Sequence, residues 1–248
     1  MTATVEIGSP EREALGRLIA ALADNKAALG RRYGEWAVSA PTLESAVAAA
    51  AMAQDELGHA RATYPLLKQL RVGSEQSAVG NCIPVLAAEL PSWTWFVAVN
   101  LVVDGMLTAL VRACQNSAFT GLAQRARKIL QEEESHALHA RAWARRLARD
   151  DAQREAFAPA LEECWRQANE LTSARDLPAL VAGGFIAAGA EQLRTSLGDT
   201  IVEALPDPHC PNCGRNDHVT LVSGFGGQII TAQWHCDGCR THFEAVRL

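Results

Sequence analysis

The feature that most restricts this 248-residue chain is a duplicated tetrad. Glu56-Leu57-Gly58-His59 and Glu133-Glu134-Ser135-His136 carry the same Glu-x-x-His spacing, 77 residues apart (133 − 56). On an α-helix, residues i and i+3 share a face, so each tetrad aims a carboxylate and an imidazole at one point. One tetrad arises easily by chance on an exposed helix; two on separate long helices restrict the chain to a fold in which those helices face each other. Ala50, Ala51, Leu57 and Ala60 make the surroundings of the first tetrad apolar and predict that Glu56 and His59 are buried. A buried carboxylate and imidazole must be paired or metal-bound. A metal-free polar network in the core therefore stands beside the metal reading.

Helix punctuation is clear along the first two hundred residues. Ser9-Pro10 followed by Glu11 and Glu13 predicts a helix start, with proline in the first turn and acids at the positive dipole end. Apolar spacing continues through Leu15, Leu18, Ile19, Leu22 and Leu29 towards Trp36. Ala40-Pro41-Thr42 breaks that helix and starts a second, which runs to about Pro65. A third follows Pro91-Ser92, and a fourth covers Leu122 to Leu147. Two more segments, Ala152 to Leu171 and Leu177 to Leu205, complete a helical domain over residues 1–205. The Leu205-Pro206-Asp207-Pro208 step then marks a boundary, since two prolines in three residues cannot lie inside a helix.

Residues 206–248 read as a small strand-rich module, with a glycine-rich turn at Gly224-Phe225-Gly226-Gly227 and β-type residues such as Ile229, Ile230 and Thr231. Cys210-Pro-Asn-Cys213 and Cys236-Asp-Gly-Cys239, with 22 residues between the pairs, fit a zinc ribbon. Four thiolates close the coordination sphere, so the zinc is structural, and in so small a module it substitutes for a core. A redox dithiol needs one Cys-x-x-Cys at a helix start, not two pairs bracketing strands. His209, His218, His235 and His242 are spare, and any of them can replace a cysteine. Three basic residues (Arg215, Arg240, Arg247) balance three acids (Asp217, Asp237, Glu244), which makes the module a poor phosphate binder and favours protein docking.

The remaining three cysteines, Cys82, Cys114 and Cys164, are an odd remainder and are read as small core residues in a reducing cytoplasm. No basic, apolar leader is visible at Met1 to Pro10. A net charge of −5 argues against nucleic-acid or anionic-membrane partners. The most membrane-like stretch, Trp93 to Val111, is interrupted by Asn100 and Asp104, so it is read as a buried bundle helix.

Two Glu-x-x-His helices together with a carboxylate from each of two others form the metal site of ferritin-like bundles. The expected fold class is accordingly an all-α ferritin-like four-helix bundle with extra helices, plus the C-terminal β ribbon. In an antiparallel hairpin, residues level with each other flank the loop symmetrically. Asp104 lies 29 residues before Glu133 (133 − 104), within the apolar run Val99 to Asp104, and is the natural carboxylate of the second hairpin. The equivalent place before Glu56 is Lys26 or Ala27, and Leu22, Ala23, Leu29 and Gly30 offer no acid one turn away. Asp24 points to another side and Glu35 is more than two turns along. The first hairpin lacks its carboxylate.

At these residues the chain resembles a known family. The segment "LGRRYGEWAVSAPTLESAVAAAAMAQDELGHARATYPLL" (Leu29 to Leu67) is similar to the ferritin-like subunits of bacterial phenylacetyl-CoA epoxidase. "APTL" and "AQDELGHA" resemble the catalytic A subunit, whereas "LGRRYGEW" and "PTLE" resemble the non-catalytic C-subunit paralogue. "VVDG" around Asp104 and "EEESHALHA" around His136 continue the likeness. The resemblance implies a di-iron core that epoxidises the aromatic ring of a coenzyme A thioester with O2 and electrons from a reductase. Carried over by position, the iron ligands are Glu56, His59, Asp104, Glu133 and His136, and the family's remaining glutamate falls on Lys26. The ribbon segment is similar to the C-terminal ribbon of the phenylacetate pathway's D protein, an accessory factor.

Charge counting frames what Lys26 does. Four carboxylates and two ferrous ions cancel. With three carboxylates, two ferrous ions and an ammonium, two positive charges remain, and an ammonium about 4 Å from a dication costs roughly 8 kcal/mol at an effective dielectric of 20. One divalent ion plus the ammonium cancels. Lys26 is thus expected to replace one metal's charge, leaving one metal or none; the alternative is that it bends away to solvent beside a complete pair.

The expected function is an iron-dependent oxygenase component in phenylacetate-type catabolism, with Lys26, Glu56, Asp104 and Glu133 as candidate catalytic residues and one or two irons plus a structural zinc as cofactors. The alternative is a non-catalytic scaffold or accessory subunit. Either reading implies a cytoplasmic homo- or hetero-oligomer, with other oxygenase subunits, a reductase and an aromatic acyl-CoA-type substrate as partners, and no nucleic acid or membrane.

Overall fold

In a computed structural model, residues 7–71, 82–205, 208–223 and 231–246 are described. Helix α1 (Ser9–Trp36) begins where Glu11 turns back to accept the Gly8 N–H, at 3.0 Å. Helix α2 (Leu43–Thr63) is capped by Thr42, whose hydroxyl accepts the Ser45 N–H. These two form the most extensive helix pair, closest where Gly30 lies under Leu57 and the Ala53 carbonyl. A side chain at Gly30 would collide with both.

After a short turn of helix at Pro65–Gln69, the chain enters α3 (Trp93–Ala113), N-capped by the Ser92 hydroxyl. This helix is long and apolar enough to cross a membrane, but most of it is buried inside the bundle, as Asn100 and Asp104 implied. Its middle, Val99–Asp104, is wound as a π-helix, and every residue of that segment is buried. Nothing in the local residue pattern signals this widening, which re-aims Asp104 relative to a regular α-helix. Helix α4 (Thr120–Arg149) runs antiparallel to α2, and α5 (Asp151–Ala168) starts on the Asp150 cap.

One predicted element divides. The segment Leu177 to Leu205, expected as a single helical stretch, breaks into Leu177–Ala182 and α6 (Ala190–Ala204). Gly183 and Gly184 end the first piece, and Gly184 adopts φ +71°, a conformation that glycine enters without steric cost. A second correction concerns α2. Glu56 and His59 are buried as expected, but Ala51, read as part of their apolar surroundings, is exposed, and Leu57, lying over Gly30 of α1, is still 46 % exposed.

The C-terminal part is an antiparallel meander of β1 (Val219–Ser223), β2 (Thr231–Cys236) and β3 (Thr241–Val246). Trp234, Val219, Cys210 and Cys236 form its own small buried cluster, separate from the helical core. The glycine-rich turn at Gly224–Gly227 and the residues Ile229 and Ile230 lie outside the described residues. Cys114 and Cys164 are buried and Cys82 half-buried, in keeping with core roles.

Candidate metal centre and its lysine

Each of the four long helices contributes one group to a buried point at the bundle centre: Lys26 from α1, Glu56 from α2, Asp104 from α3 and Glu133 from α4. Their side chains are 0–2 % exposed. The Lys26 ammonium donates to Glu56 Oε1 at 2.9 Å, Asp104 Oδ1 at 2.9 Å and Glu133 Oε1 at 2.6 Å. Three N–H groups meet three carboxylates, which is the full donor capacity of an ammonium. The alternative in which Lys26 bends to solvent is overturned: no path outward competes with three charge-assisted hydrogen bonds in a dry interior.

Neighbouring groups take up most of the remaining lone pairs. Asp104 Oδ2 accepts from the Tyr33 hydroxyl at 3.0 Å and from Asn100 at 3.4 Å, and Thr108 donates to Glu133 Oε2 at 2.6 Å. His136 Nδ1 lies 3.2 Å from Asp104 Oδ2 and 3.3 Å from Glu56 Oε1. Glu56, Asp104, Glu133 and His136 thus bring potential ligand atoms within 4.8 Å of one another. His59 stands at the edge of this group, with Nδ1 3.3 Å from Glu133 Oε1 and 3.8 Å from Glu56 Oε2 but aligned with neither.

Two further acids were not singled out by sequence. His59 Nε2 reaches Glu132 on α4 at 2.7 Å, and His136 Nε2 reaches Asp55 on α2 at 3.4 Å. Each outer acid immediately precedes the buried glutamate of its own helix and holds the histidine of the other. The duplicated motif is therefore acid-Glu-x-x-His, and the same 77-residue spacing relates Asp55 to Glu132, a signal that was available in the chain.

The electrostatics follow from these contacts. Burial alone would lower the Lys26 pKa, but Asp104, Glu133 and Glu56 outweigh it and raise the group well above its ordinary value. Burial likewise works against charge on His136 and His59. Contacts with Asp104 and Glu56 nevertheless carry His136 up to about 11, and contacts with Glu133 and Glu56 carry His59 up to about 9. For Glu56 and Glu133, burial is outweighed chiefly by Lys26, which leaves both below their usual range. The Lys26 ammonium and the two histidines thus stand among Glu56, Asp104 and Glu133, with Glu132 and Asp55 against the histidines from outside.

That arrangement does not suit a pair of divalent ions. The ammonium sits among the carboxylates a second ion would need, and the sixth ligand is absent. One feature points the other way for a single ion: Glu56 Oε2 and His59 Nδ1 are buried without hydrogen-bond partners. A cavity of about 110 Å³ between α3, α4 and α6 touches Asp104, Glu133 and His136, with Arg112 and Arg141 also on its walls. It is smaller than the roughly 300 Å³ at which pockets for drug-sized ligands begin.

The sequence matches the family described as phenylacetic acid catabolic protein over residues 1–208. The chain belongs to that family. Among curated proteins, this family member is similar to the C subunit of the 1,2-phenylacetyl-CoA epoxidase of Escherichia coli (strain K12). The two are 26% identical over 184 residues, covering 71% of this chain and 74% of the relative. The resemblance read from the sequence is thus correct at the level of the family, and the ferritin-like helical core with a small β region is the fold observed.

In the β region of this family member, the Sγ atoms of Cys210, Cys213, Cys236 and Cys239 lie within 4.8 Å of one another, with Cys210–Cys239 at 3.4 Å and Cys213–Cys236 at 3.6 Å. A tetrahedral ion with sulfur bonds of ~2.3 Å sets its sulfurs ~3.8 Å apart. The four thiols can hold such an ion. The spare histidines His209, His218, His235 and His242 stay out of the group.

Proposed function

We propose that this chain is a non-oxygenating subunit of a multicomponent epoxidase of the phenylacetyl-CoA type, in which a lysine occupies the place that a metal-bearing bundle gives to iron. The observation that carries this reading is the Lys26 ammonium, bonded to all three buried carboxylates. The small adjoining cavity supports it, as does the likeness to a C subunit. In this reading residues 1–205 form the bundle and 206–248 a ribbon held by one structural zinc. The chain works in the cytoplasm alongside a catalytic subunit, which acts on the aromatic acyl-CoA and receives electrons from a reductase. Glu56, His59, Asp104, Glu133 and His136 then hold the four helices together through Lys26 rather than through metal.

The unpartnered Glu56 Oε2 and His59 Nδ1 favour a second reading, a single ion beside the ammonium. Counting iron and zinc per chain after anaerobic Fe(II) loading separates the two. The expected result is one zinc and no iron. One iron per chain supports the second reading, and two irons overturn the metal-surrogate role of Lys26. Lys26→Glu, which restores a fourth carboxylate, is expected to gain iron.

A further inference from the structure

A second cavity, larger than the one at the bundle centre, lies elsewhere in the helical domain. It has a volume of about 310 Å³ and opens between the first half of α1, the segment around Ile83, the second half of α3, the turn after α5 and the short helical piece Leu177–Ala182. Leu22, Ile83, Leu107, Leu110, Leu177 and Leu180 line its inner wall, each no more than 4 % exposed. Small-molecule sites begin at roughly 300 Å³, and an apolar cavity of about 150 Å³ already holds a benzene ring.

The polar groups on the wall decide what the cavity can take, because all the charged ones are engaged. Arg17 and Asp176 close on each other with two hydrogen bonds, of 2.6 and 3.1 Å. Glu170 pairs with Arg166, and Gln167 both accepts the Val85 N–H and donates to Glu163. Among the described residues, no buried side-chain nitrogen or oxygen on this wall lacks a hydrogen-bond partner. An anionic ligand therefore finds no free cation, and a polar one loses its hydrogen bonds to water without replacement. The half-buried Cys82 thiol is the exception, and it behaves as a small hydrophobe.

We propose that this cavity binds an uncharged, compact hydrophobic molecule of one- or two-ring size, at a site separate from the Lys26 centre. Leu22 lies one turn before Lys26 on α1, and Leu107 three residues after Asp104 on α3. An occupant thus braces the two helices that carry this ion pair and supplies packing contacts to the leucines around it. No base or activated nucleophile faces the cavity, so the ligand is held and not transformed. Binding does not depend on what the bundle centre holds, so it stands or falls separately from the role of Lys26.

Toluene is the probe and benzoate, the same ring carrying a charge, its comparison. With the full-length protein, toluene at about 2 mM is expected to raise the melting temperature by about 2–4 °C, corresponding to a Kd of about 0.1–1 mM. Benzoate at the same concentration is expected to leave it unmoved. Toluene is also expected to slow alkylation of Cys82, followed by peptide mass mapping, without slowing that of the exposed Cys213. Ala21→Phe and Ala14→Leu fill the cavity from the α1 side, and each is expected to abolish the thermal shift at an unchanged helical circular dichroism spectrum. The alkylation measurement uses the unaltered chain and decides even where a filled variant does not fold. The proposal is overturned by a wild type that toluene neither stabilises nor protects at Cys82, by benzoate equalling toluene, or by a toluene shift that persists in the filled variants.

Discussion

His59 on α2 donates to Glu132 on α4 at 2.7 Å, while its other nitrogen faces Glu133, the very next residue, at 3.3 Å. His136 repeats the pattern in reverse between Asp104 and Asp55. Two imidazoles thus bridge the buried carboxylates to a pair of half-exposed acids, crossing between the helices that carry the duplicated motif.

Glu132→Gln keeps the shape of this bridge and removes its charge. The His59 pKa is expected to fall from about 9, read by NMR titration of its ring proton, with a stability loss of about 1 kcal/mol. Glu134→Gln, two residues along and exposed, serves as the control and should move neither.

Stability should decline in alkali as His59 loses its proton. His59 is raised from 6.5 to about 9 in the folded protein, so its contribution is complete below pH 6.5 and disappears as the pH climbs through 9. The full span is worth about 3 kcal/mol at most. In acid the opposite groups act: Glu56 and Glu133 lie below their usual range, so their contribution fades as the pH falls below 4.5 towards their folded values. Urea denaturation midpoints from about pH 4 to 10 are expected to trace a maximum near neutrality.

Lys26→Met removes the central cation and strands three carboxylates in the core. A loss of about 3–5 kcal/mol is expected at pH 7, the usual consequence of breaking a buried charge network. Adding Mn(II) should raise the melting temperature of this variant and leave the wild type unmoved. Equal stabilisation of both proteins would show that Lys26 does not hold the ion's place.

Stripping metal from the four cysteines should unfold the β region and spare the helices. With a thiol-competent chelator, the emission of Trp234, which is 1 % exposed, is expected to shift while the far-ultraviolet helical signal persists. Cys236→Ser should reproduce this without chelator.

Much of the molecule was legible before any coordinates. The first-turn proline Pro10 and the caps Thr42 and Ser92 state where helices begin, because they act over three or four residues. The burial of Glu56 and the partnership of Asp104 with Glu133 follow from helical periodicity and hairpin length. Less local effects were missed. The π-helical winding at Val99–Asp104 reflects packing on all sides of α3. The break at Gly184 depends on a left-handed turn that a propensity count does not register. The seat of Leu57, partly exposed over Gly30 of α1, depends on how closely the two helices approach.

By itself, the sequence determined the helical class, the two Glu-x-x-His faces, the spacing of the four ribbon cysteines and the absence of a fourth carboxylate opposite Glu56, since each depends on residue type and short-range periodicity. Only the tertiary structure decided where the Lys26 ammonium goes. A lysine side chain is long enough to reach solvent or the core. The choice was made by three carboxylates, brought from three other helices to within hydrogen-bond distance of one point, where low dielectric makes the ionic bonds strong and a missing cation costly.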